Sequence, residues 1–272
     1  MKFYKYQGLG NDFVFTEDFA GDLLAIAPRL AREICDRNFG IGSDGFVLIT
    51  KPDKDYTMRI FNADGTEAEM CGNAIRCLAK HLLDYGYVQG DHLTIGTLKA
   101  SRDVSVRNNL YTVDMGEPIL DVRDIPMNVQ GTSFGHTIQV LDRKWEIHGV
   151  SMGNPHGVVF VSTVDSVVLN QIGPILETNP IFPAKANIEF VQLVNRQHIN
   201  VKVWERGVGP TLACGTGACA SAVVAAHLGL TDKHVQVSLP GGDLYIEWKS
   251  DNHVWMTGPA TLVFRGEYTI YS

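Results

Sequence analysis

Short runs of alternating apolar and polar residues recur along the chain, and they predict β-strands with one buried face. In the first half the predicted strands lie near residues 2–6, 12–16, 46–50 and 56–61, and in DHLTIGTL, RDVSVR and LYTVDMGEP. In the second half they are HTIQVLD, WEIHGVS, GVVFVS, IEFVQLV, INVKVWE, KHVQVSL, DLYIEW and HVWMTGPA. Strands therefore outnumber helices, and the pattern predicts an α+β protein with curved sheets.

Helices are predicted at four places. Pro28 suits the first turn of a helix that runs to about Arg37, and another helix is expected within residues 164–177. Two more should follow Cys71 and Cys214. The stretch 207–231 contains no Asp, Glu, Lys or Arg. It is too weakly apolar for a membrane span, so we expect a helix buried on all sides in a soluble protein.

The two halves of the sequence repeat each other. The interval of 143 residues between Cys71 and Cys214 also separates GND at Gly10 from GNP at Gly153. After each of these cysteines come a glycine, a predicted helix and alternating runs, which end at Gly-Glu-Pro or Gly-Pro. We interpret the chain as two pseudo-symmetric domains, each a curved, mainly antiparallel sheet wrapped around a central helix. The predicted boundaries are 1–116 with a C-terminal strand at 262–272, and 117–261.

Composition narrows the class of protein. The 272 residues are 45% hydrophobic and 19% charged, and 23 basic against 30 acidic residues give a net charge of −7. Like charges do not cluster, which argues against a nucleic acid or an anionic membrane as partner. The start, MKFYKYQGLG, has no apolar signal core, so we expect a cytoplasmic protein.

Five cysteines are present, an odd number that argues against a disulfide framework. We expect Cys35, Cys77 and Cys219 to be buried as small apolar residues. Cys71 and Cys214 instead precede predicted helices, where free N–H groups and the helix dipole favour a thiolate.

Four interpretations compete for Cys71 and Cys214: apolar packing, a metal site, a redox couple, and a pair of acid/base thiols. Helical geometry directs each of them away from the next cysteine in the chain, Cys77 or Cys219, by roughly 120–140°. No Cys-x-x-Cys spacing exists, which disfavours metal and redox chemistry. Acid/base chemistry explains best why each half supplies one cysteine in the same setting. Inverting a carbon centre by proton exchange needs a base on one face and an acid on the other.

Several longer motifs of the sequence resemble those of a known family. GLGNDFVF, FGIGSDG, FNADGTEAEMCGNAIR, SMGNPHGVVF and WERGVGPTLACGTGACAS are similar to motifs of diaminopimelate epimerases, and the resemblance runs from end to end. It implies the fold of that family and epimerisation between LL- and meso-2,6-diaminopimelate in lysine and peptidoglycan precursor synthesis. It also implies no cofactor, no metal and a homodimer that acts on a small amino-acid substrate.

The resemblance assigns roles to individual residues. Cys71 and Cys214 would be the acid/base thiols, and His156 would support the site beside them. The reacting carboxylate would be bound by Gly72, Asn73, Gly215 and Thr216. The substrate, mainly at its distal end, would be held by Asn11, Asn62, Asn154, Asn187, Glu205 and Arg206. A carboxylate and an ammonium at that end suit an arginine beside a glutamate.

Three residues depart from the family pattern. Thr66 stands where serine is common, and Pro210 replaces a usual acidic residue. Gly45 stands where some members carry glutamine, so we expect that contact to be absent or water-filled.

Other functions remain open at the level of sequence. The runner-up is a racemase of another amino acid, of the proline, hydroxyproline or histidine type, which would not depend on pyridoxal phosphate. A non-catalytic binding protein of the same fold and a pyridoxal-phosphate-dependent racemase are further alternatives. Neither is favoured, because both thiols are present and no lysine context identifies a Schiff base.

Overall fold

The computed structural model describes residues 1–270 of the chain. Contacts divide the chain into two units. Unit 1 comprises Met1–Asp114 and the residues from Thr257 onward, and unit 2 comprises Met115–Met256. The sequence analysis placed these changes after residues 116 and 261.

Unit 1 is built on one sheet. Its elements are β1 (Lys2–Gly8), β2 (Asn11–Glu17), α1 (Ala27–Cys35), β3 (Gly45–Thr50), β4 (Thr57–Asn62), β5 (Glu67–Ala68), α2 (Gly72–Asp84), β6 (His92–Gly96), β7 (Ser101–Arg107), β8 (Leu110–Asp114) and the returning β18 (Thr261–Glu267), with a 3₁₀ turn at Leu24–Ile26. The strand order is β18-β1-β2-β3-β4-β6-β7-β8, with β5 paired to β4. Pairing is antiparallel except for β2 with β3 and β4 with β6.

The sheet of unit 1 curls around α2. This helix contacts β1 and β18 as well as β6 and β8, so strands from opposite parts of the sheet meet on it. Arg76 of α2 is fully buried, and its Nε donates to the carbonyl oxygen of Pro259 at 3.1 Å. The helix ends where Gly86 takes a left-handed conformation (φ +70°), which glycine adopts at little cost.

Unit 2 follows the same plan. Its elements are β9 (His136–Val140), β10 (Arg143–Ser151), β11 (Pro155–Phe160), α3 (Leu169–Glu177), β12 (Asn187–Asn195), β13 (His198–Glu205), β14 (Gly209–Thr211), α4 (Gly215–His227), β15 (His234–Leu239), β16 (Gly242–Trp248) and β17 (Val254–Gly258), which leads back into unit 1, with a 3₁₀ turn at Val164–Ser166. The strand order is β9-β10-β11-β12-β13-β15-β16, with β14 paired to β13. Parallel pairing again occurs twice, between β11 and β12 and between β13 and β15.

The central helix of unit 2 is α4. Nearly all of its residues are buried, and it contacts β10 to β13, β15 and β16. The predicted burial on all sides is confirmed, because the sheet surrounds a helix that has no polar face. Among residues 1–270, no helix combines the length and the apolar character that a membrane crossing requires.

Most predicted elements are present, with differences at their ends. The helix predicted to run to Arg37 ends at Cys35, because Asp36 leaves helical geometry and its carboxylate accepts from the N–H groups of Asn38 and Phe39 at 2.7 Å. The predicted C-terminal strand is shorter than expected. It ends at Glu267, and residues 271 and 272 lie outside the described part of the chain.

Candidate functional site

Cys71 lies at the start of α2. Its backbone is extended (φ −144°, ψ 115°), Gly72 is the first helical residue, and the Cys71 carbonyl accepts the first helical bond from Ile75. The half-buried thiol donates to Oδ1 of Asn11 at 3.8 Å, and Nδ2 of Asn73 donates to the same oxygen at 3.0 Å. The fold therefore brings Asn11, Cys71 and Asn73 together within unit 1.

Asp44 fixes the orientation of the Asn11 amide. Nδ2 of Asn11 donates to Oδ2 of Asp44 at 2.7 Å, and Nη2 of Arg37 donates to Oδ1 of Asp44 at 2.8 Å. Because an ionised carboxylate only accepts, the amide nitrogen must face Asp44 and the amide oxygen must face Cys71. The sequence analysis did not single out Asp44, although the motif FGIGSDG contains it.

Asn62 lies opposite Gly45 of the neighbouring strand β3. It ends β4, is exposed, and donates through Nδ2 to Oγ1 of Thr66 at 3.0 Å. The Thr66 hydroxyl in turn donates to Oδ1 of Asp64 at 2.6 Å. A threonine in place of serine therefore keeps the hydroxyl that orders this turn.

Gly45 has no side chain that could make the glutamine contact, and there is little room beside it. A Cβ atom on Gly45 would lie 3.2 Å from Cδ1 of Phe13 and 3.2 Å from the carbonyl oxygen of Phe61. The ring of Phe13 therefore occupies the space beside the missing side chain.

Cys214 holds the corresponding position in unit 2, at the start of α4. It is 6% exposed, and its sulfur accepts from the Gly217 N–H at 3.4 Å and lies 3.5 Å from Oγ1 of Thr216. Gly215 begins the helix, as Gly72 does in unit 1. Pro210, in β14, is exposed and pairs across the strands with Trp204.

The pKa of Cys214 differs from the expectation for a helix start. Burial raises the pKa of the Cys214 thiol well above its usual value, and the nearby carboxylates of Glu205 and Glu189 raise it further. Hydrogen bonds from Thr216 and Gly217 lower the pKa, but by less than burial and the two carboxylates raise it. The predicted lowering is wrong for Cys214, because burial and two carboxylates on β12 and β13 outweigh the helix terminus.

Glu205 ends β13, and Arg206 begins the turn that follows. Oε1 of Glu205 accepts from the Thr211 hydroxyl at 2.5 Å, and Nη1 of the exposed Arg206 donates to the Ala184 carbonyl at 3.3 Å. Asn187 is 4% exposed and is engaged at both ends. Its Oδ1 accepts from the Arg206 N–H at 2.9 Å and its Nδ2 donates to the Pro155 carbonyl at 3.0 Å. Asn187 therefore orders the turn that presents Glu205 and Arg206.

His156 and Glu189 form a buried pair on the adjacent strands β11 and β12. Nδ1 of His156 lies 2.8 Å from Oε1 of Glu189, and Nε2 lies 3.0 Å from Oδ1 of Asn154. The sequence analysis missed Glu189, because its place in an alternating run predicted an exposed side chain. Its neighbours Ile188 and Phe190 pack in an apolar cluster with α3, whereas Glu189 approaches Gly217 of α4.

The other cysteines are buried as predicted. Cys35, Cys77 and Cys219 are at most 3% exposed, and burial raises the pKa of Cys77 to about 12. In the part of the chain that the structure describes, no group of three or more His, Cys, Asp or Glu side chains is placed to bind a metal ion.

Comparisons with known proteins agree on one family. The family model for diaminopimelate epimerase matches residues 3–120 and 149–263. A diaminopimelate epimerase from Desulfitobacterium hafniense is 48% identical over 275 residues, covering 98% of this chain and 97% of that protein. One from Carboxydothermus hydrogenoformans is 46% identical over 272 residues, covering 98% and 99%.

Solved structures extend the likeness at the level of fold. A phenazine biosynthesis protein of the PhzF family from Bacillus anthracis matches with a TM-score of 0.73 at 18% identity, over 99% of both chains. A probable proline racemase from Agrobacterium radiobacter matches with a TM-score of 0.72 at 12% identity, over 99% of this chain and 93% of that one. These matches confirm the predicted fold class, and at such identities they carry no argument about substrate.

Proposed function

The chain belongs to the diaminopimelate epimerase family, and we propose that it interconverts LL- and meso-2,6-diaminopimelate by exchanging the proton on one α-carbon. It is an isomerase, as its relatives are named epimerases. The observation that best supports this mechanism is that a cysteine lies at the same position in each unit. Cys71 and Cys214 each cap a buried central helix, each in extended backbone and each followed by glycine.

The proposed reaction uses the two thiols as acid and base. One cysteine, as thiolate, removes the α-proton, and the electron pair of the broken C–H bond moves toward the substrate carboxylate. The other cysteine, as thiol, delivers its proton to the opposite face of the carbon. The two sulfur atoms have then exchanged protonation states, so the reverse reaction uses them in the opposite roles. The raised pKa of Cys214 supports its assignment as the resting acid.

The negative charge that develops on the substrate carboxylate needs stabilisation. Gly72 and Asn73 lie in the first turn of α2, and Gly215 and Thr216 lie in the first turn of α4. Backbone N–H groups in the first turn of a helix have no partner within the helix, and they point along a dipole that favours anions. We propose that these groups bind the reacting carboxylate, where their effect grows as charge develops.

The distal end of diaminopimelate is a second amino-acid group. We propose that Arg206 pairs with its carboxylate and that Glu205 accepts from its ammonium, both presented by the turn that Asn187 orders. The amides of Asn11, Asn62 and Asn154 supply further donors and acceptors. A smaller amino acid with one such group would have no second carboxylate or ammonium to place at Arg206 and Glu205.

Exchange of a proton between two thiols requires no redox or electrophilic group, so we propose a cofactor-independent reaction. Activity that survives dialysis against a chelator, with no pyridoxal absorbance, is the expected result. We also propose that the protein is a homodimer and that it acts in the cytoplasm. Its product would serve the synthesis of lysine and of peptidoglycan precursors. Analytical ultracentrifugation tests the dimer.

The experiment that tests the function is α-proton exchange in D₂O. LL-diaminopimelate is incubated with the wild-type protein, and L-proline, 4-hydroxy-L-proline and L-histidine serve as competing candidates. We expect deuterium incorporation and formation of the meso isomer with diaminopimelate alone. Exchange of proline or histidine in preference would instead identify a racemase of another amino acid.

Variants at the thiols separate an enzyme from a binding protein. Cys71→Ala and Cys214→Ala should each abolish interconversion, and Cys219→Ala, which removes a fully buried cysteine of the same helix as Cys214, is the matched control. Full activity of either thiol variant would rule out the proposed mechanism.

A further inference from the structure

Glu177, the last residue of α3, accepts hydrogen bonds from two places on the segment that carries Arg206. Its Oε2 accepts from Nε1 of Trp204, in β13, at 2.7 Å, and its Oε1 accepts from the backbone N–H of Gly207 at 3.0 Å. Glu177 is 6% exposed, so water competes little for these bonds. One buried carboxylate therefore joins the end of β13 to the turn that follows it.

The two neighbouring N–H groups of this turn also have acceptors. Asn187 accepts from the N–H of Arg206 at 2.9 Å, and the carbonyl oxygen of Glu205 accepts from the N–H of Val208 at 3.1 Å. Gly207 between them has a left-handed conformation (φ +75°), which glycine adopts at little cost. Three successive N–H groups are thus held in place, and the middle one is held by α3.

The guanidinium of Arg206 is placed through the same glutamate. Its Nη1 donates to the carbonyl oxygen of Ala184, in the loop that follows α3, at 3.3 Å. The backbone carbonyl of Glu177 accepts from the N–H of Ala186 at 3.3 Å and so closes that loop. Glu177 therefore contacts both the turn from which Arg206 extends and the loop that its guanidinium contacts.

We propose that Glu177 is a positioning residue that sets where Arg206 presents its guanidinium to the distal carboxylate of the substrate. The inference deepens the proposed function and rests on it. Glu177 acts through the turn and makes no contact with the substrate itself.

Stability alone does not explain a carboxylate at this position. Glu177 ends α3, where the helix dipole disfavours negative charge, and residues 174–177, which form the last turn, include no basic side chain. Nζ of Lys185 lies 3.8 Å from Oε1, but the lysine side chain is 56% exposed, and such pairs stabilise a fold little. A polar group placed against these local preferences is typical of a site built for function.

A glutamine at this position cannot keep both bonds. Its amide oxygen accepts, whereas its NH₂ group only donates and would face the N–H of either Trp204 or Gly207. Two donors cannot bond to each other, so Glu177→Gln should loosen the hold on the turn while it keeps the volume of the side chain. The guanidinium of Arg206 would then be placed less precisely.

Steady-state deuterium exchange into LL-diaminopimelate tests the effect on binding. The distal end of the substrate does not change during the reaction, so its contacts favour the bound substrate and the transition state equally. Losing such contacts raises KM with little change in kcat. We expect Glu177→Gln to raise KM about 10-fold, which corresponds to the loss of one hydrogen bond, and to change kcat by less than about 2-fold.

The matched control is Asp18→Asn in unit 1. Asp18 is 5% exposed, and its Oδ2 accepts from the backbone N–H of Leu23 at 3.2 Å, so it too is a buried carboxylate that holds a loop. Its variant should lose stability and keep the wild-type KM. A folded Glu177→Gln with an unchanged KM, or an equal rise of KM in Asp18→Asn, would refute the positioning role.

A double variant separates positioning from a general loss of packing. Trp204→Phe removes one of the two donors, so the single amide oxygen of Glu177→Gln is free to accept from Gly207. In the Trp204→Phe background we therefore expect Glu177→Gln to raise KM by no more than about 2-fold, against about 10-fold in the wild-type background. An equal rise in both backgrounds would contradict the proposal.

Amide hydrogen exchange tests the same hold without substrate. Gly207 is exposed, yet its N–H should exchange more slowly in the wild-type protein than in an unstructured chain, because Glu177 accepts from it. Exchange at the unstructured rate would overturn the inference even if Glu177→Gln failed to fold. Absence of α-proton exchange by the wild-type protein would refute the proposed function, and the Gly207 rate would still decide whether Glu177 holds the turn.

Discussion

Gly217, in the first turn of α4, has no room for a side chain, and Gly217→Ala tests how tightly this turn is built. A methyl group there would lie 2.7 Å from Oε1 of Glu189, against an ordinary contact of at least 3.4 Å. It would also lie 3.3 Å from both Cβ and Sγ of Cys214. Glu189 is fully buried and bonded to His156, so it cannot swing away. The carboxylate, the thiol or the helix start must therefore move by about 0.7 Å.

This displacement should affect activity more than stability. Overpacking a buried site costs about 1–3 kcal/mol, and alanine recovers up to about 1 kcal/mol over glycine within a helix. The expected net loss in the free energy of unfolding is thus between about 0 and 3 kcal/mol. A misplacement approaching 1 Å near the reacting atoms lowers the rate by about 10- to 100-fold.

The assay combines thermal unfolding with deuterium exchange into LL-diaminopimelate, each rate expressed per folded molecule. Gly96→Ala is the matched control, because its methyl group would lie 2.6 Å from Oγ1 of Thr57, away from every candidate site residue. We expect both variants to lose stability and only Gly217→Ala to lose activity. Full activity of Gly217→Ala, or an equal loss in Gly96→Ala, would refute the argument that the start of α4 positions a reacting group.

Further predictions concern both units. Asp44→Asn leaves one acceptor oxygen where Asn11 and Arg37 now donate to two, so the Asn11 amide is held less firmly. We expect kcat to fall about 10-fold while the melting temperature stays near that of the wild type, a change that steady-state kinetics and calorimetry measure. Arg206→Lys replaces a planar fork by a single ammonium, so KM for diaminopimelate should rise about 10-fold with a smaller effect on kcat; an unchanged KM would remove Arg206 from the binding site. Burial lowers the pKa values of His81 and His148. Below about pH 6.5 the unfolded chain therefore binds more protons than the folded chain, which destabilises the fold. The urea concentration at the midpoint of unfolding should fall as the pH drops below about 6.5 and should not change just above it.

Local sequence patterns predicted much of the fold. The alternating runs predicted strands such as β15, whose buried residues occupy every second position. The cysteine–glycine pairs correctly marked the starts of α2 and α4. These features were accessible because each depends on residues that are adjacent in the chain.

Contacts between residues that are far apart in the chain could not be predicted from local sequence patterns. Glu189 stands in an alternating run, and only the packing of β12 between α3 and α4 makes it a buried partner of His156. The helix start alone predicted a lowered pKa for Cys214. The pKa is instead raised, first by burial and then by carboxylates 9 and 25 residues before Cys214 in the chain. Asp44 acts through Asn11, 33 residues away, and no local pattern reveals that contact.

The central claim is that two different groups, Cys71 and Cys214, exchange protons with opposite faces of one carbon. The most direct measurement follows deuterium in both isomers during early conversion of LL-diaminopimelate in D₂O. We predict that newly formed meso product carries solvent deuterium while the remaining LL substrate carries almost none, because each face is served by its own thiol. Deuterium entering the unreacted LL substrate as fast as product forms would show that a single group serves both faces, and would contradict the account.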